Sequence, residues 1–175
     1  NSNLIGKYFA FQGLTRLYKA AKMRDSREKY NLIFSGSGYA AFAMASAGGG
    51  MTSGLSYPLG VIKKIPHAMA GGYLLPLIIA NHLQKNYFSA YSYLSKVFRP
   101  KSKNSEKESA YFFLKKIKSI FYKNLMPLKK DFKIKQSEAK ELVEELFKTR
   151  KSNIQADPVT FKRNELEKIL FLAFK

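Results

Sequence analysis

The side chains best suited to catalysis or metal binding are few in this sequence. Histidine occurs twice, as His67 and His82, and cysteine does not occur. On one helix the two histidines would lie roughly 22 Å apart along the axis, which is too far to share a metal ion. His67 alone could contact a quinone or give one ligand to a haem, with its counterpart on another chain. We expect no catalytic residues, no metal site and no bound cofactor. The alternative that stays open is a quinone or haem contact at His67.

A glycine-rich stretch fits part of a nucleotide-binding motif. Residues 35–41 follow the pattern G-x-G-x-x-A after a short apolar run. A dinucleotide site also needs an acidic residue about 20 positions later to hold the ribose. No acid follows this motif until Glu106, and Gly54 and Gly60 are wrongly spaced for a phosphate-binding loop. These glycines therefore need an explanation other than nucleotide binding.

The carboxylates of the C-terminal third show no catalytic arrangement. Four glutamates alternate with lysines along one predicted helix, as on a solvated helix face. They are Glu138, Glu141, Glu144 and Glu145, interleaved with Lys140 and Lys148. No histidine follows His82 to serve as a base beside them. We therefore expect that the protein is not an enzyme.

Net charge indicates the kind of partner. The chain has 31 Lys and Arg against 12 Asp and Glu, a formal charge of +19. Such an excess attracts polyanions, either nucleic acid or anionic lipid such as cardiolipin. The acids are unevenly spread, because none lies between Glu28 and Glu106.

The acid-free tract predicts a membrane hairpin. Tyr30–Ile62 is 33 residues without a charge, and Ile65–Gln84 is another 20. A helix needs about 20 apolar residues to cross a bilayer. Since Gly48 to Pro58 breaks the first tract, we expect spans at about 31–49 and 66–83, with a loop between them. The expected fold class is all-α, a two-span transmembrane hairpin with an amphipathic N-terminal helix and a basic helical tail.

Small residues repeat along the first predicted span. Small side chains repeated along one helix face let the backbone of a second helix approach closely within a membrane. We expect the first span to pack against the second, or against a helix of another subunit. The helix-packing residues are Gly36, Ala40 and Gly48 in one row, Ser37, Ala41, Ala45 and Gly49 in the next, and Gly71 and Gly72 on the second span.

Topology follows from the basic flanks. Both termini carry excess Lys and Arg, which places them on the cytoplasmic or matrix side. The loop residues Lys63 and Lys64 conflict with this arrangement to a minor degree. Together with Lys85 and Arg99 they are the candidate contacts for lipid headgroups. The four expected segments are an N-terminal arm at 1–29, the hairpin at 30–86, an interfacial segment and linker at 87–107, and a basic helical tail at 108–175.

Two classes of function fit these features. The first is a non-catalytic accessory subunit of a membrane complex, with the general character of respiratory-chain or ATP synthase subunits in the mitochondrial inner membrane. Its partners would be other subunits and anionic lipid, not DNA. The alternatives are an RNA-binding ribosomal protein, or a membrane anchor that contributes to a quinone or haem site through His67.

Overall fold

The computed structural model describes residues 4–125 and 132–174. Within those ranges the regular structure is α-helical, in nine helices. They are α1 (Leu4–Ala20), α2 (Arg27–Ala47), α3 (Gly50–Lys63), α4 (His67–Gln84), α5 (Ser89–Ser95), α6 (Glu106–Leu125), α7 (Gln136–Thr149), α8 (Lys151–Ala156) and α9 (Arg163–Phe174).

The chain divides into two compact units. The first unit comprises Asn1–Gly48 and Ser89–Phe113, and the second comprises Gly49–Phe88 and Leu114–Lys175. The first therefore contains α1, α2, α5 and the start of α6, and the second contains the remaining helices. This division does not follow the four segments expected from the sequence.

The first unit is built on the pairing of α1 with α2. Ser26 caps α2, because its hydroxyl accepts a hydrogen bond from Lys29 N at 3.2 Å. The two helices approach closely where both carry glycine. A Cβ on Gly13 would lie 3.0 Å from the carbonyl oxygen of Gly36. This close approach explains Gly36, one of the glycines that fitted no nucleotide motif.

The second unit contains a continuous apolar core. Helices α3 and α4 pack together, and α7 and α9 cover them. The apolar stripe of each amphipathic helix faces this core, as helical periodicity requires. The largest fully buried side chains of the unit are Phe174, Met51, Leu55, Leu59, Ile65, Leu74, Ile78, Ile79, Leu83, Leu142, Leu146 and Leu166.

Helix α3 occupies the region expected to be a loop. Its glycines and the internal Pro58 made this region resemble a break in the sequence. Burial of Leu55 and Leu59 in the core stabilises the helix despite its low intrinsic propensity. The helix ends at Lys64, whose backbone is left-handed with φ of 56°.

The expected membrane hairpin is wrong. None of the described helices combines the length and the sustained hydropathy needed to cross a bilayer. The uncharged tract is divided between α2 and α3, and polar residues interrupt α4. The apolar side chains of α3 and α4 are buried against protein instead of lipid. The transmembrane fold class and the mitochondrial inner-membrane location are therefore both corrected.

Candidate functional site

Three polar side chains from distant parts of the sequence meet on the second unit. Tyr57 lies on α3, His67 begins α4, and Arg150 lies between α7 and α8. The ring centres of Tyr57 and His67 are 4.9 Å apart. The guanidinium carbon of Arg150 lies 3.8 Å from the centre of the Tyr57 ring. We call these three residues the Tyr57 cluster.

The Tyr57 cluster is partly open to solvent. His67 is exposed, and Tyr57 keeps 41% of its surface accessible. Arg150 is half-buried, and its Nε is buried without a hydrogen-bond partner in the described part of the chain. The cluster is therefore a cationic, aromatic surface.

The second histidine lies in the interior of the same unit. His82 Nε2 is 3.0 Å from Asp157 Oδ1, and both side chains are almost fully buried. Asp157 also accepts hydrogen bonds from Met51 N at 2.8 Å and Val159 N at 3.2 Å. This carboxylate thus links the end of α4, the start of α3 and the segment before α9. The position of His82 near the end of the expected second span predicts a residue at the membrane interface, and its burial beside Asp157 corrects that placement.

Two ion pairs lie closer to the surface of the second unit. Lys63 Nζ lies 2.6 Å from Glu138 Oε1, and this bond, with the one from Lys135 N, holds the pKa of Glu138 below its usual range. Burial works to raise the pKa of Glu165. The hydrogen bonds from Lys85 Nζ and Lys162 N outweigh that effect and lower the Glu165 pKa.

The residues expected to bind lipid headgroups therefore have protein neighbours. Lys63 and Lys85 face glutamates, and Lys64 ends α3. The guanidinium carbon of Arg99 lies 3.9 Å from the centre of the Phe112 ring. Lipid binding at these cations remains an untested prediction.

The small residues of α2 have different surroundings from one another. Gly36 and Ala40 lie where α1 approaches, since a Cβ on Gly13 would be 3.1 Å from Ala40 N. Gly48 ends α2 and Gly49 precedes α3. The remaining expected packing residues of α2 are exposed, namely Ser37, Ala41 and Ala45. The helix observed against α2 is α1, where the sequence analysis favoured the predicted second span.

The glycines of α4 lie within the second unit. A Cβ on Gly71 would be 3.6 Å from Ser56 Oγ of α3. Gly72 is buried and lines a cavity of about 50 Å³ together with Tyr73, Pro76, Leu77, Phe121, Tyr122, Leu172 and Ala173. This volume suits no more than a few atoms, so the Tyr57 cluster is the better candidate site.

Several solved alcohol dehydrogenases share this fold. An alcohol dehydrogenase from Oenococcus oeni superposes with a TM-score of 0.83 at 17% identity, over 99% of this chain and 46% of that one. A 1,3-propanediol oxidoreductase gives 0.77 at 18% identity, over 98% and 46%. An iron-containing alcohol dehydrogenase from Thermotoga maritima gives 0.69 at 18% identity, over 99% and 43%. The chain thus spans less than half the length of these proteins.

A family assignment comes from the sequence match. The model of the Fe-containing alcohol dehydrogenase family, C-terminal part, matches residues 9–174. The chain belongs to this family. The comparison with curated proteins found no match.

This family assignment corrects three expectations. A non-catalytic accessory subunit was expected, whereas the family consists of enzymes. A respiratory-chain or ATP synthase assembly was expected, and the structural neighbours are instead alcohol dehydrogenases. The expectation that the protein is not an enzyme is overturned with them.

The family name implies iron, and the donors of this chain can be tested against it. No three His, Cys, Asp or Glu side chains come together to hold a metal among the residues that the structure describes. His82 is buried beside a single carboxylate. His67 lies at the positive end of α4 and shares the Tyr57 ring with a guanidinium, and both features oppose a divalent cation. The described residues do not fit an iron site.

Three residues of this region were not expected from the sequence to be site residues, namely Tyr57, Arg150 and Asp157. The pair Asp157-Pro158 predicts the start of a helix, with Asp157 as its cap, but α9 begins at Arg163. Tyr57 on α3 and Arg150 between α7 and α8 are far apart in the chain, so no spacing pattern connects them. A weak signal existed in the chemistry alone, because Arg and Tyr commonly stack.

Proposed function

We propose that this chain is the helical part of an oxidoreductase that interconverts alcohols and carbonyl compounds. The observation that carries the proposal is the family match over residues 9–174. Fold agreement over nearly the whole chain supports it. The identities are below 20%, so the structural likeness supports the fold and the family match supports the chemistry.

The substrate class is proposed from the printed names of the neighbours. They act on alcohols, and one acts on 1,3-propanediol. Oxidation of an alcohol requires an acceptor for two electrons, which is usually a cofactor and not a side chain. The described residues do not fit iron, so no step of the reaction is assigned to a metal held by this chain.

A direct assay tests the proposal. Purified protein is incubated with ethanol or 1,3-propanediol and a nicotinamide dinucleotide, and the corresponding aldehydes are tested in the reverse direction. Each reaction is run with and without added Fe²⁺. We expect turnover that depends on both alcohol and acceptor and is absent after heat denaturation. Failure to convert any alcohol or aldehyde under all of these conditions would contradict the proposed function.

A further inference from the structure

Arg150 is held in place but its hydrogen-bonding capacity is not fully used. Its guanidinium lies over the Tyr57 ring, and its buried Nε has no acceptor among the described residues. A buried donor without an acceptor costs free energy. Stacking occupies a flat face of a guanidinium and leaves the in-plane N–H groups for hydrogen bonds. Because Nε is buried, an incoming acceptor would be bound by the terminal Nη groups of this half-buried residue, which the stacking on Tyr57 already orients.

A second arginine of the same unit, Arg163, is stacked on an aromatic ring and also has a carboxylate partner. Arg163 lies 4.3 Å from the centre of the Phe147 ring, so it is also stacked. Unlike Arg150, it forms an ion pair with a carboxylate, since Arg163 Nη1 is 2.7 Å from Glu144 Oε1. The contrast indicates that, among the residues that the structure describes, Arg150 has no oxyanion partner such as Arg163 has in Glu144.

The neighbours of Arg150 favour an anion over a cation. His67 and Arg150 both lie within 4.9 Å of the Tyr57 ring centre. Helix α4 begins at His67 with no side-chain cap, so its first N–H groups add positive potential at this end. Asp157, the acid that follows Arg150 in the chain, is engaged by Met51 N and lies beside His82.

The chemistry of the ligand follows from these donors. A guanidinium binds carboxylate and phosphate oxygens through paired N–H donors, and an imidazole and a phenol supply further single donors. We propose that Tyr57, His67 and Arg150 form a binding site for a small oxyanion, either a carboxylate or a phosphate group. The proposal goes beyond the proposed function, because anion binding requires no alcohol turnover.

Calorimetric titration tests the site with defined probes. The whole protein is titrated with inorganic phosphate and, separately, with acetate, at constant ionic strength maintained with chloride. Constant ionic strength separates a specific site from general attraction to the +19 chain. We expect saturable one-to-one binding of at least one probe. The preferred probe identifies the oxyanion as phosphate or carboxylate.

Variants locate the binding. Arg150→Gln should weaken the affinity by about tenfold or more, since it removes a charged donor. Arg163→Gln is the matched control, a stacked arginine outside the cluster, and should leave the affinity within about twofold. His67→Gln alters an exposed side chain and should fold even if Arg150→Gln does not. It should weaken binding by about threefold to tenfold through the loss of one donor.

Three results would overturn the proposal. The first is no saturable binding of phosphate or acetate by the folded wild-type protein. The second is binding that both Arg150→Gln and His67→Gln leave unchanged. The third is one-to-one binding of Fe²⁺ or Zn²⁺ that His67→Gln abolishes, because the cluster would then be a cation site.

Discussion

The two units differ in the side chains that pack in their interiors. In the first unit, the buried residues of α1 and α2 are all small, namely Gly6, Gly13, Ala20 and Gly36. Aromatic pairs complete its packing, such as Phe11 with Tyr93 at 5.3 Å and Tyr18 with Phe98 at 4.7 Å. In the second unit, large aliphatic side chains form a continuous buried core.

The two units also differ in how deeply their ion pairs are buried. Lys19 and Glu28 form an ion pair in the first unit, with more than 60% of each side chain exposed. In the second unit, His82 and Asp157 face each other with less than 5% exposed. Exposed pairs contribute little, whereas loss of one buried partner is costly. The second unit is thus the more strongly constrained support, which suits the placement of the Tyr57 cluster on it.

Truncation in the core of the second unit should have the largest effect. Leu146 is fully buried, and its Cδ1 would lie only 2.9 Å from a Cβ on Gly54. Leu146→Ala leaves a cavity and should lower the free energy of unfolding by about 2–5 kcal/mol. Chemical denaturation monitored by circular dichroism measures the change.

The matched control lies on the surface of the same unit. Leu172 is 46% exposed, so Leu172→Ala should cost less than about 1 kcal/mol. Equal losses for the two variants would show that the second unit lacks the tight core described above.

Removal of the buried carboxylate should have the next largest effect. Asp157→Ala leaves Met51 N and Val159 N without their acceptor and His82 without its partner carboxylate. We expect a loss of about 2–4 kcal/mol, measured by the same denaturation. Asp25→Ala is the control from the first unit, where the carboxylate pairs with Lys29 at the surface, and it should change stability very little. A small loss of stability for Asp157→Ala would contradict the stated difference between the buried pair of the second unit and the exposed pairs of the first.

Glycine substitutions distinguish close helix packing from helix propensity in the first unit. A Cβ on Gly13 would lie 3.0 Å and 3.1 Å from backbone atoms of α2, which cannot move as a side chain can. Gly13→Ala should therefore cost about 1 kcal/mol despite the better helix propensity of alanine. Gly38→Ala has no atom within 4 Å of its Cβ and should stabilise the protein by about 0.5–1 kcal/mol. Stabilisation by both changes would contradict close packing at Gly13.

Much of the helical pattern could be predicted from the sequence, but whether lipid or protein surrounds the helices could not. Alternating apolar and charged residues over 137–151 predict an amphipathic helix, and α7 has nearly these bounds. The segment 31–83 was misinterpreted because both lipid and a protein core tolerate uncharged residues. Polar residues within α4, such as Asn81 and Gln84, and the pair Lys63 and Lys64 were the signals against a span.

The candidate site was beyond the reach of spacing rules. His67 was singled out only as one of two histidines, and its neighbours come from α3 and from the residue after α7. Asp157 was noted for its place before a proline, whereas its contacts are with Met51 and His82. Such contacts depend on how α7 and α9 pack on α3 and α4, and periodicity within one helix cannot specify that packing.

The smallest expected effect concerns the exposed ion pair between Lys63 and Glu138. The hydrogen bonds from Lys63 Nζ and Lys135 N lower the pKa of Glu138 in the folded protein. A carboxyl of this kind stabilises the fold above its unfolded pKa, about 4.3, and this contribution is lost as the pH falls through the folded pKa. Glu138→Gln should therefore be slightly less stable than wild type above about pH 5, and the difference should disappear once the pH lies below the folded pKa.

Urea denaturation across this pH range measures the difference. Glu141→Gln is the matched control, because Glu141 lies on the same helix and forms no ion pair with any residue that the structure describes. Its stability difference from wild type should not vary with pH in the same way. A gap for Glu138→Gln that widens on acidification would mean that the carboxyl is worse placed in the folded protein than in the unfolded chain. The second unit would then gain nothing from this partly exposed pair, and its buried contacts would account for its stability.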